Sequence, residues 1–299
     1  MITKNAMVTI CGRPNVGKST LTNCLVGEKI AIVSNKPQTT RNRITAVVEH
    51  GDTQFIFMDT PGFHKPRNRL GDYMVDVVKS SVADVDAVLL LVEPVAKIGR
   101  QEEELIRSFK ESKVPVILCI NKIDSVEPSS LLEVMALYAA AFDFRAIIPI
   151  SALTGDGVDE LLAELEKFAQ EGPALFPEGM VTDQPEKQVV AELIREKLLI
   201  CLDREVPHGT AIEITKFSER DASDGEPVID VDATIYCEKA SHKGIIIGKN
   251  GTMLKKIGAL ARQDIEQFMG TRVFLQTWVK VKENWRDSQA QLRNFGFRE

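Results

Sequence analysis

Hydrophobic and polar positions fall into two rhythms along the first 170 or so residues. Short apolar runs at Met7–Ile10, Ile44–Glu49, Gln54–Met58, Ala87–Val92, Val114–Ile120 and Ala146–Ile150 predict strands. Between most of them, stretches such as Lys18–Val26, Arg100–Ser112 and Val158–Ala169 repeat apolar residues at helical spacing. Continuous apolar runs alternating with helices indicate an α/β unit with a mainly parallel sheet covered on both faces. Ile44–Glu49 and Gln54–Met58 are separated only by His50-Gly51-Asp52-Thr53, which predicts a hairpin. The rhythm stops over residues 171–185, where three prolines and two glycines without periodicity mark a linker. Beyond it the order changes. A helix over Glu186–Cys201 precedes strands at Thr210–Phe217 and Val228–Cys237, helical Met253–Phe268, a strand at Arg272–Val281 and a last helix around Asn284–Phe295. This second, smaller domain reads as α+β with a mostly antiparallel sheet. The expected division is residues 1–172, a linker over 173–185, and residues 186–299.

Composition narrows the class. A chain of 299 residues carries a prior of two domains, and 44% hydrophobic with 27% charged residues is ordinary for a soluble globular protein. Disordered, collagen-like and coiled-coil chains are excluded. No apolar run approaches the ~18 residues of a membrane span. Met1–Asn5 lead directly into a strand, so no signal peptide is expected, and Phe297-Arg298-Glu299 offers no lipidation box. Five scattered cysteines without a CxxC pair read as reduced thiols of a cytoplasmic protein. A net charge of −6 taken alone argues against nucleic acid.

Four elements carry chemistry. Gly12-Arg13-Pro14-Asn15-Val16-Gly17-Lys18-Ser19, followed by Thr20, fits GxxxxGK[ST] after a strand and before a helix. There, backbone N–H groups and a helix N-terminus face phosphate oxygens, Lys18 reaches the β- and γ-phosphates, and Ser19 ligates Mg²⁺. Asp59-Thr60-Pro61-Gly62 ends the next apolar strand but one, placing a carboxylate for Mg²⁺ and the Gly62 amide for a γ-phosphate. Asn121-Lys122-Ile123-Asp124 ends another strand, and a buried Asp124 carboxylate would accept from guanine N1–H and N2–H₂, donors that adenine lacks. Ser151-Ala152-Leu153 follows the next, where the Ala152 N–H is the expected donor to guanine O6. Together they select GTP over ATP.

With these boxes in place the sequence resembles the TRAFAC-class GTPases. The strings Lys36-Pro37-Gln38-Thr39-Thr40-Arg41 and Asp59-Thr60-Pro61-Gly62-Phe63-His64-Lys65-Pro66 narrow the resemblance to the Era family. That resemblance covers essentially the whole chain and implies a GTPase domain followed by a C-terminal type II KH domain. It implies that Thr40 joins Ser19 and Asp59 on Mg²⁺, with Thr39 the competing choice, so that Lys18, Thr40 and Gly62 form the catalytic set. Phe63 stands where Ras-like proteins carry a water-orienting Gln, and a phenyl ring cannot polarise water. No arginine finger in cis is evident, and the role of Arg13 in the P-loop is left open. Slow intrinsic hydrolysis is therefore expected. The missing charge would come from K⁺ held at Asn15, as in similar K⁺-activated GTPases, or from a ribosomal partner.

In the second domain Gly248-Lys249-Asn250-Gly251 is a GxxG between an Ile-rich segment and a helix, within the α-β-β-α-α-β order of a type II KH fold. Its glycines would let backbone approach a sugar-phosphate chain, with Ile246 and Ile247 lining a groove and Lys243, Lys249, Asn250 and Lys255 beside it. Residues 239–263 hold six basic side chains and no acidic one. Residues 1–179 carry 19 basic and 24 acidic side chains, residues 180–299 carry 18 and 19, so the whole-chain charge hides this cluster. Trp285 and Phe295 could stack on bases, but their spacing fits core packing equally well. The family resemblance implies binding of the 16S rRNA 3′ end, a role in maturation of the small (30S) ribosomal subunit, and peripheral membrane association; a monomer is expected. Two rivals stand beside it: a constitutive RNA-binding scaffold with structural nucleotide, and a GTPase partner of a tRNA-modifying enzyme.

Overall fold

The computed structural model of the protein describes residues 1–36, 39–62, 68–81 and 85–297. Pro37 and Gln38 of one family string, Phe63–Pro66 of the other, and the last two residues lie outside the described residues. The chain divides into two compact units. Met1–Ala31, Thr40–Pro66 and Gly71–Asp183 form the first, and Gln184–Glu299 with Ile32–Thr39 and Arg67–Leu70 form the second.

The first unit runs β1 (Lys4–Cys11), α1 (Lys18–Val26), β2 (Ile44–His50), β3 (Thr53–Asp59), α2 (Arg69–Ser80), β4 (Ala87–Val92), α3 (Arg100–Ser112), β5 (Val116–Ile120), α4 (Pro128–Ala141), β6 (Ala146–Pro149), α5 (Val158–Glu166) and the two-residue β7 (Gln170–Glu171). Its sheet has the order β2-β3-β1-β4-β5-β6. All ladders in that path are parallel except the β2–β3 hairpin. β4 meets β1 only from Val8 onward, and β7 pairs antiparallel with Lys4 and Asn5 in the space that leaves. β4 is buried at every position, as expected of a strand covered on both faces. One face packs Val8, Ile10, Leu89, Leu91 and Ile117 with α1 and α5. The other packs Val88, Leu90, Leu118 and Ile120 with α3 and α4. The residues after the sheet stay with this unit: Gln54 Oε1 accepts from the Leu175 and Phe176 amides at 2.8 and 2.9 Å.

The second unit adds α6 (Glu186–Cys201), β8 (Ala211–Asp221), β9 (Pro227–Cys237), α7 (Ala240–Ile247), α8 (Thr252–Met269), β10 (Arg272–Val281) and α9 (Gln289–Asn294). Its sheet is mixed, not mostly antiparallel. β8 and β9 form a hairpin, but β10 lies parallel to β9 over ten residues. The physical reason is the connection: α7 and α8 carry the chain back along the sheet, and such a crossover returns a parallel strand. Val231, Ala233, Ile235, Val273 and Val279 close this core against α6, α7 and α8. Within it Lys197 bridges Glu196 and Asp264 at 2.7 and 2.5 Å. The expected last helix is broken. A single 3₁₀ turn (Trp285–Asp287) ends at Ser288, which caps α9 by accepting from the Gln291 amide. Trp285 is buried, donates through Nε1 to Gly209 O at 2.9 Å and meets Phe295 edge-on, so both aromatics pack in the core. Cys11, Cys119 and Cys237 are buried, Cys24 and Cys201 half-buried, and all five are free thiols. Among the described residues no helix is long and apolar enough to cross a membrane.

Candidate functional site

In the first unit, four loops at the C-terminal ends of β1, β3, β5 and β6 carry the sequence boxes, the end of an open α/β sheet where ligands bind. The loop between β1 and α1 is a backbone nest. Asn15 at φ 66° and Gly17 at φ 100° take positive-φ backbone on either side of Val16, the kind of turn that can present amides to an anion. Gly17 has a second reason to lack a side chain: a Cβ there would lie 2.2 Å from Asn121 Nδ2. A Cβ on Gly62 would lie 2.9 Å from the Pro14 backbone, so the β3 loop packs closely on the nest. Thr20 is half-buried in the first turn of α1.

Lys18 is buried, and its Nζ donates to Gly12 O and Arg13 O at 3.1 Å each. Burial lowers its pKa, partly offset by the Asp59 charge. Ser19 Oγ lies 2.8 Å from Thr40 Oγ1 and donates to Asp59 Oδ2 at 2.8 Å. Thr39 Oγ1 donates to Lys36 O at 2.7 Å. Within the first unit the structure gathers Thr40 with Ser19 and Asp59. Asp59 is fully buried, and burial raises its carboxyl from 3.8 to about 6 against the lowering effects of Lys18, Ser19 and Thr40. Its Oδ1 has no hydrogen-bond partner. Three hard oxygen donors around an orphaned buried carboxylate oxygen fit Mg²⁺.

At the base-reading end, Asn121 Nδ2 donates to Val16 O at 2.8 Å and Oδ1 accepts from the Ala152 amide at 2.9 Å. Two expectations are corrected here. The Ala152 N–H expected for guanine O6 is engaged by Asn121. Asp124, expected to be buried, is exposed, with Ser151 Oγ donating to its Oδ1 at 2.6 Å. Leu153 is exposed at the same loop. Lys122, at φ 66°, donates to Asn15 O at 2.8 Å.

Sequence reasoning missed Glu93, the residue after β4. Its Oε1 lies 2.5 Å from Lys122 Nζ and its Oε2 pairs with Arg13. Arg13 Nε also sits 3.2 Å from the buried Glu102 carboxylate on α3. Two carboxylates thus account for Arg13: it is a strut between the P-loop and α3. The missed signal is a lone acid at the end of an apolar strand, which by sequence is indistinguishable from an ordinary turn residue.

The second unit holds the other set. Lys249–Gly251 is one 3₁₀ turn at the N-terminus of the 18-residue α8. Gly248 at φ 73° could not carry a Cβ, which would fall 2.7 Å from Met253 Cβ. Lys249, Asn250 and Lys255 are exposed, Lys243 and Ile247 half-buried. Ile246 corrects its expectation: it is fully buried in the core and offers no face to a base. A groove of about 410 Å³ runs beside the turn. Gly251, Leu254, Lys255, Gly258 and Arg262 form one wall, recurring at helical spacing, and Leu275 and Thr277 of β10 form the floor. Of these the sequence reading had named Gly251 and Lys255. Gly258 and the strand residues carry no signal until β10 is known to lie beside α8.

Comparisons with known proteins agree with this anatomy. A family model described as a 50S ribosome-binding GTPase matches residues 7–122, and a KH domain model matches residues 205–286. The GTPase Era of Ruminiclostridium cellulolyticum is 52% identical over 295 residues, spanning 99% of this chain and 98% of its own. That of Clostridioides difficile is 50% identical over 295 residues, 98% of each. Among solved structures, an Aquifex aeolicus Era variant bound to GDP and AlF₄⁻ superposes with a TM-score of 0.93 at 37% identity, covering 99% of this chain and 100% of that one. An Era in complex with MgGDPNP and nucleotides 1506–1542 of 16S ribosomal RNA gives 0.91 at 37% identity, with the same coverage.

Two outcomes test the site. A carboxyl at about 6 when folded and 3.8 when unfolded binds more protons in the folded state, so its burial destabilises increasingly from pH ~4 to ~6 and by a constant ~3 kcal/mol above. Asp59→Asn is expected to stabilise the metal- and nucleotide-free protein by that order at pH 7.5, about half as much at pH 5, and to abolish the Mg²⁺ dependence of nucleotide binding; denaturant titrations across pH 5–8 measure the first. Glu93→Gln removes the charge shared by Arg13 and Lys122. GDP and GTP are each expected to dissociate about ten-fold faster in stopped-flow, with turnover at saturating GTP held within two-fold. An unchanged dissociation rate refutes the clamp.

Proposed function

The chain belongs to the GTPase Era family, and we propose that it is a GTP-hydrolysing switch that holds the single-stranded 3′ end of small-subunit ribosomal RNA during maturation of that subunit. The observation that carries this reading is one chain containing both the Ser19–Thr40–Asp59 cluster beside a P-loop nest and a GxxG groove walled by cations. We take residues 1–172 as the GTPase domain, 173–185 as the linker and 186–299 as the RNA-binding domain. On this reading the protein is a cytoplasmic monomer, and any contact with a membrane is peripheral.

The roles follow from the chemistry of each side chain. The nest amides of residues 12–19 and Lys18 bind the phosphates, where Lys18 exchanges its two carbonyl partners for phosphate oxygens. Ser19, Thr40 and Asp59 would hold Mg²⁺, which would supply positive charge to the transferring phosphoryl group. The Gly62 amide meets the γ-phosphate. Asp124 reads guanine N1–H and N2–H₂, Ser151 fixes its orientation, and Leu153 packs beside the base. Asn121 and Lys122 bind no base donor themselves; they tie the reading loop to the P-loop. With Arg13 held by Glu93 and Glu102, that side chain is not free to serve the transition state, and we assign that charge to K⁺ at Asn15. In the groove, Gly248–Gly251 let the RNA backbone approach, Lys249 and Lys255 meet phosphates, and bases lie over Leu254, Ile247 and Leu275.

Cross-linking to ribosomal RNA in the presence of a non-hydrolysable GTP analogue or GDP tests the whole reading. Cross-links from residues 247–262 are expected at the small-subunit 3′ end, with yield differing at least several-fold between the two nucleotides; equal yields favour the constitutive scaffold. Turnover is expected to rise several-fold in K⁺ over Na⁺ buffer, and equal rates remove the cation from Asn15.

A further inference from the structure

The chain leaves the first unit after Ala31 and re-enters it at Thr40, just before β2. The two ends of that excursion are held differently. At the exit, Asn23 of α1 grips the backbone. Its Oδ1 accepts from the Ile30 and Ala31 amides at 3.1 and 2.8 Å, and its Nδ2 donates to Ala31 O at 2.7 Å. At the re-entry, Thr40 Oγ1 lies 2.8 Å from Ser19 Oγ, Arg41 is buried, and Ile44 pairs with Asp59 in the β2–β3 ladder. Between those points stands Asn42, whose Oδ1 accepts from the Tyr73 hydroxyl of α2 at 3.1 Å.

Tyr73 sits on a helix that is itself fixed. Met74 and Val78, one helical turn apart, are buried, and Val78 packs in the core that holds Val88 and Leu90. Tyr73 precedes Met74 at the margin of that stripe and is half-buried. Burial raises its pKa against the lowering effect of Arg43, so at neutral pH the phenol keeps its proton and donates. α2 is also the first helix after the loop that carries Gly62. One neutral hydrogen bond therefore joins the helix that follows the Gly62 amide to the stretch that carries the Thr40 hydroxyl. Neither Asn42 nor Tyr73 belongs to a nucleotide box or to a family string.

We propose that Tyr73 is a positioning residue for the triphosphate: its hydroxyl, acting through Asn42, keeps Thr40 beside Ser19 and Asp59, so that preference for GTP over GDP depends on this bond. The inference rests on the assignment of Thr40 to Mg²⁺ above and deepens it. GDP has no γ-phosphate for the Gly62 amide to meet, so only GTP calls on both stretches that Tyr73 and Asn42 join. A contact made with one nucleotide and not needed by the other shifts their relative affinity by its own free energy.

The test uses the full chain, with a non-hydrolysable GTP analogue and GDP as probes and Mg²⁺ varied. Tyr73→Phe keeps the ring and removes only the hydroxyl. It is expected to weaken the analogue about five-fold, to raise by a similar factor the Mg²⁺ concentration that half-saturates its binding, and to leave GDP within about two-fold. Asn42→Ala is expected to match it, and the double variant to lose no more than either single one. In a Thr40→Ala background Tyr73→Phe is expected to add nothing, an outcome that a merely structural hydroxyl would not produce. Equilibrium titrations read all of these without turnover. Unchanged analogue affinity, equal weakening of both nucleotides, an additive double variant, or a full effect that persists without Thr40 overturns the latch. If Thr40→Ala alone leaves the Mg²⁺ requirement for the analogue unchanged, the metal assignment falls, and the latch falls with it.

Discussion

A single buried amide, the Asn121 side chain, holds three loops of the nucleotide site in register. It is 2% exposed, its Nδ2 bonded to Val16 O and its Oδ1 to the Ala152 amide, while its backbone N donates to Val92 O. The loops after β1, β5 and β6 therefore share one hub, and β4 is tied to it through the backbone. The hub needs the volume that a Cβ on Gly17 would occupy. Leaving either end of a buried amide unpaired costs about 1–3 kcal/mol, so residues 16–17, 121 and 152 form one unit, not three separate choices. The same contacts explain why the phosphate-binding and base-reading halves of the site cannot move independently.

Around this hub the charges are sorted by depth. Lys18 and Asp59 are buried, and desolvation pushes each toward its neutral form, the lysine down and the carboxyl up to about 6. Each partly restores the other, but Asp59 keeps an oxygen without a partner. A polyanion on the lysine side and a divalent cation on the carboxylate side relieve both costs together, so ligand binding and proton release are linked. Glu93 differs. It is partly solvated and pairs with two cations at once. It acts on position, where Asp59 acts on charge.

Much of this was legible in the sequence because it rests on local pattern. The strands of the first unit, the hairpin, the nest glycines and the clustering of Lys18, Ser19 and Asp59 follow from apolar runs and fixed spacing. What was not legible depended on partners distant in sequence. The donor expected for guanine O6 is taken by a side chain 31 residues away. The parallel pairing of β10 follows from where α7 and α8 carry the chain, which strand composition does not encode. Ile246 lies in an Ile run that suits groove and core equally, and the fold turns it into the core. Glu93 has no motif at all, since its meaning comes from two cations brought to it by separate loops.

The two tryptophans show the same lesson with the opposite outcome. Trp285, which sequence spacing left between stacking and packing, is buried with its N–H satisfied by Gly209 O, as an indole in a core requires. Trp278, in a strand that reads as ordinary, is the one left in solvent. An edge strand carrying exposed Phe and Trp is an invitation to pair with other chains, and proteins usually blunt such edges with charge. Here Arg272 and Lys280 supply that charge at both ends of the aromatic pair, and Asp232 of β9 lies in register with Gln276 between them. The rings are thus flanked by charges of both signs, which makes this edge costly to bury against a second copy.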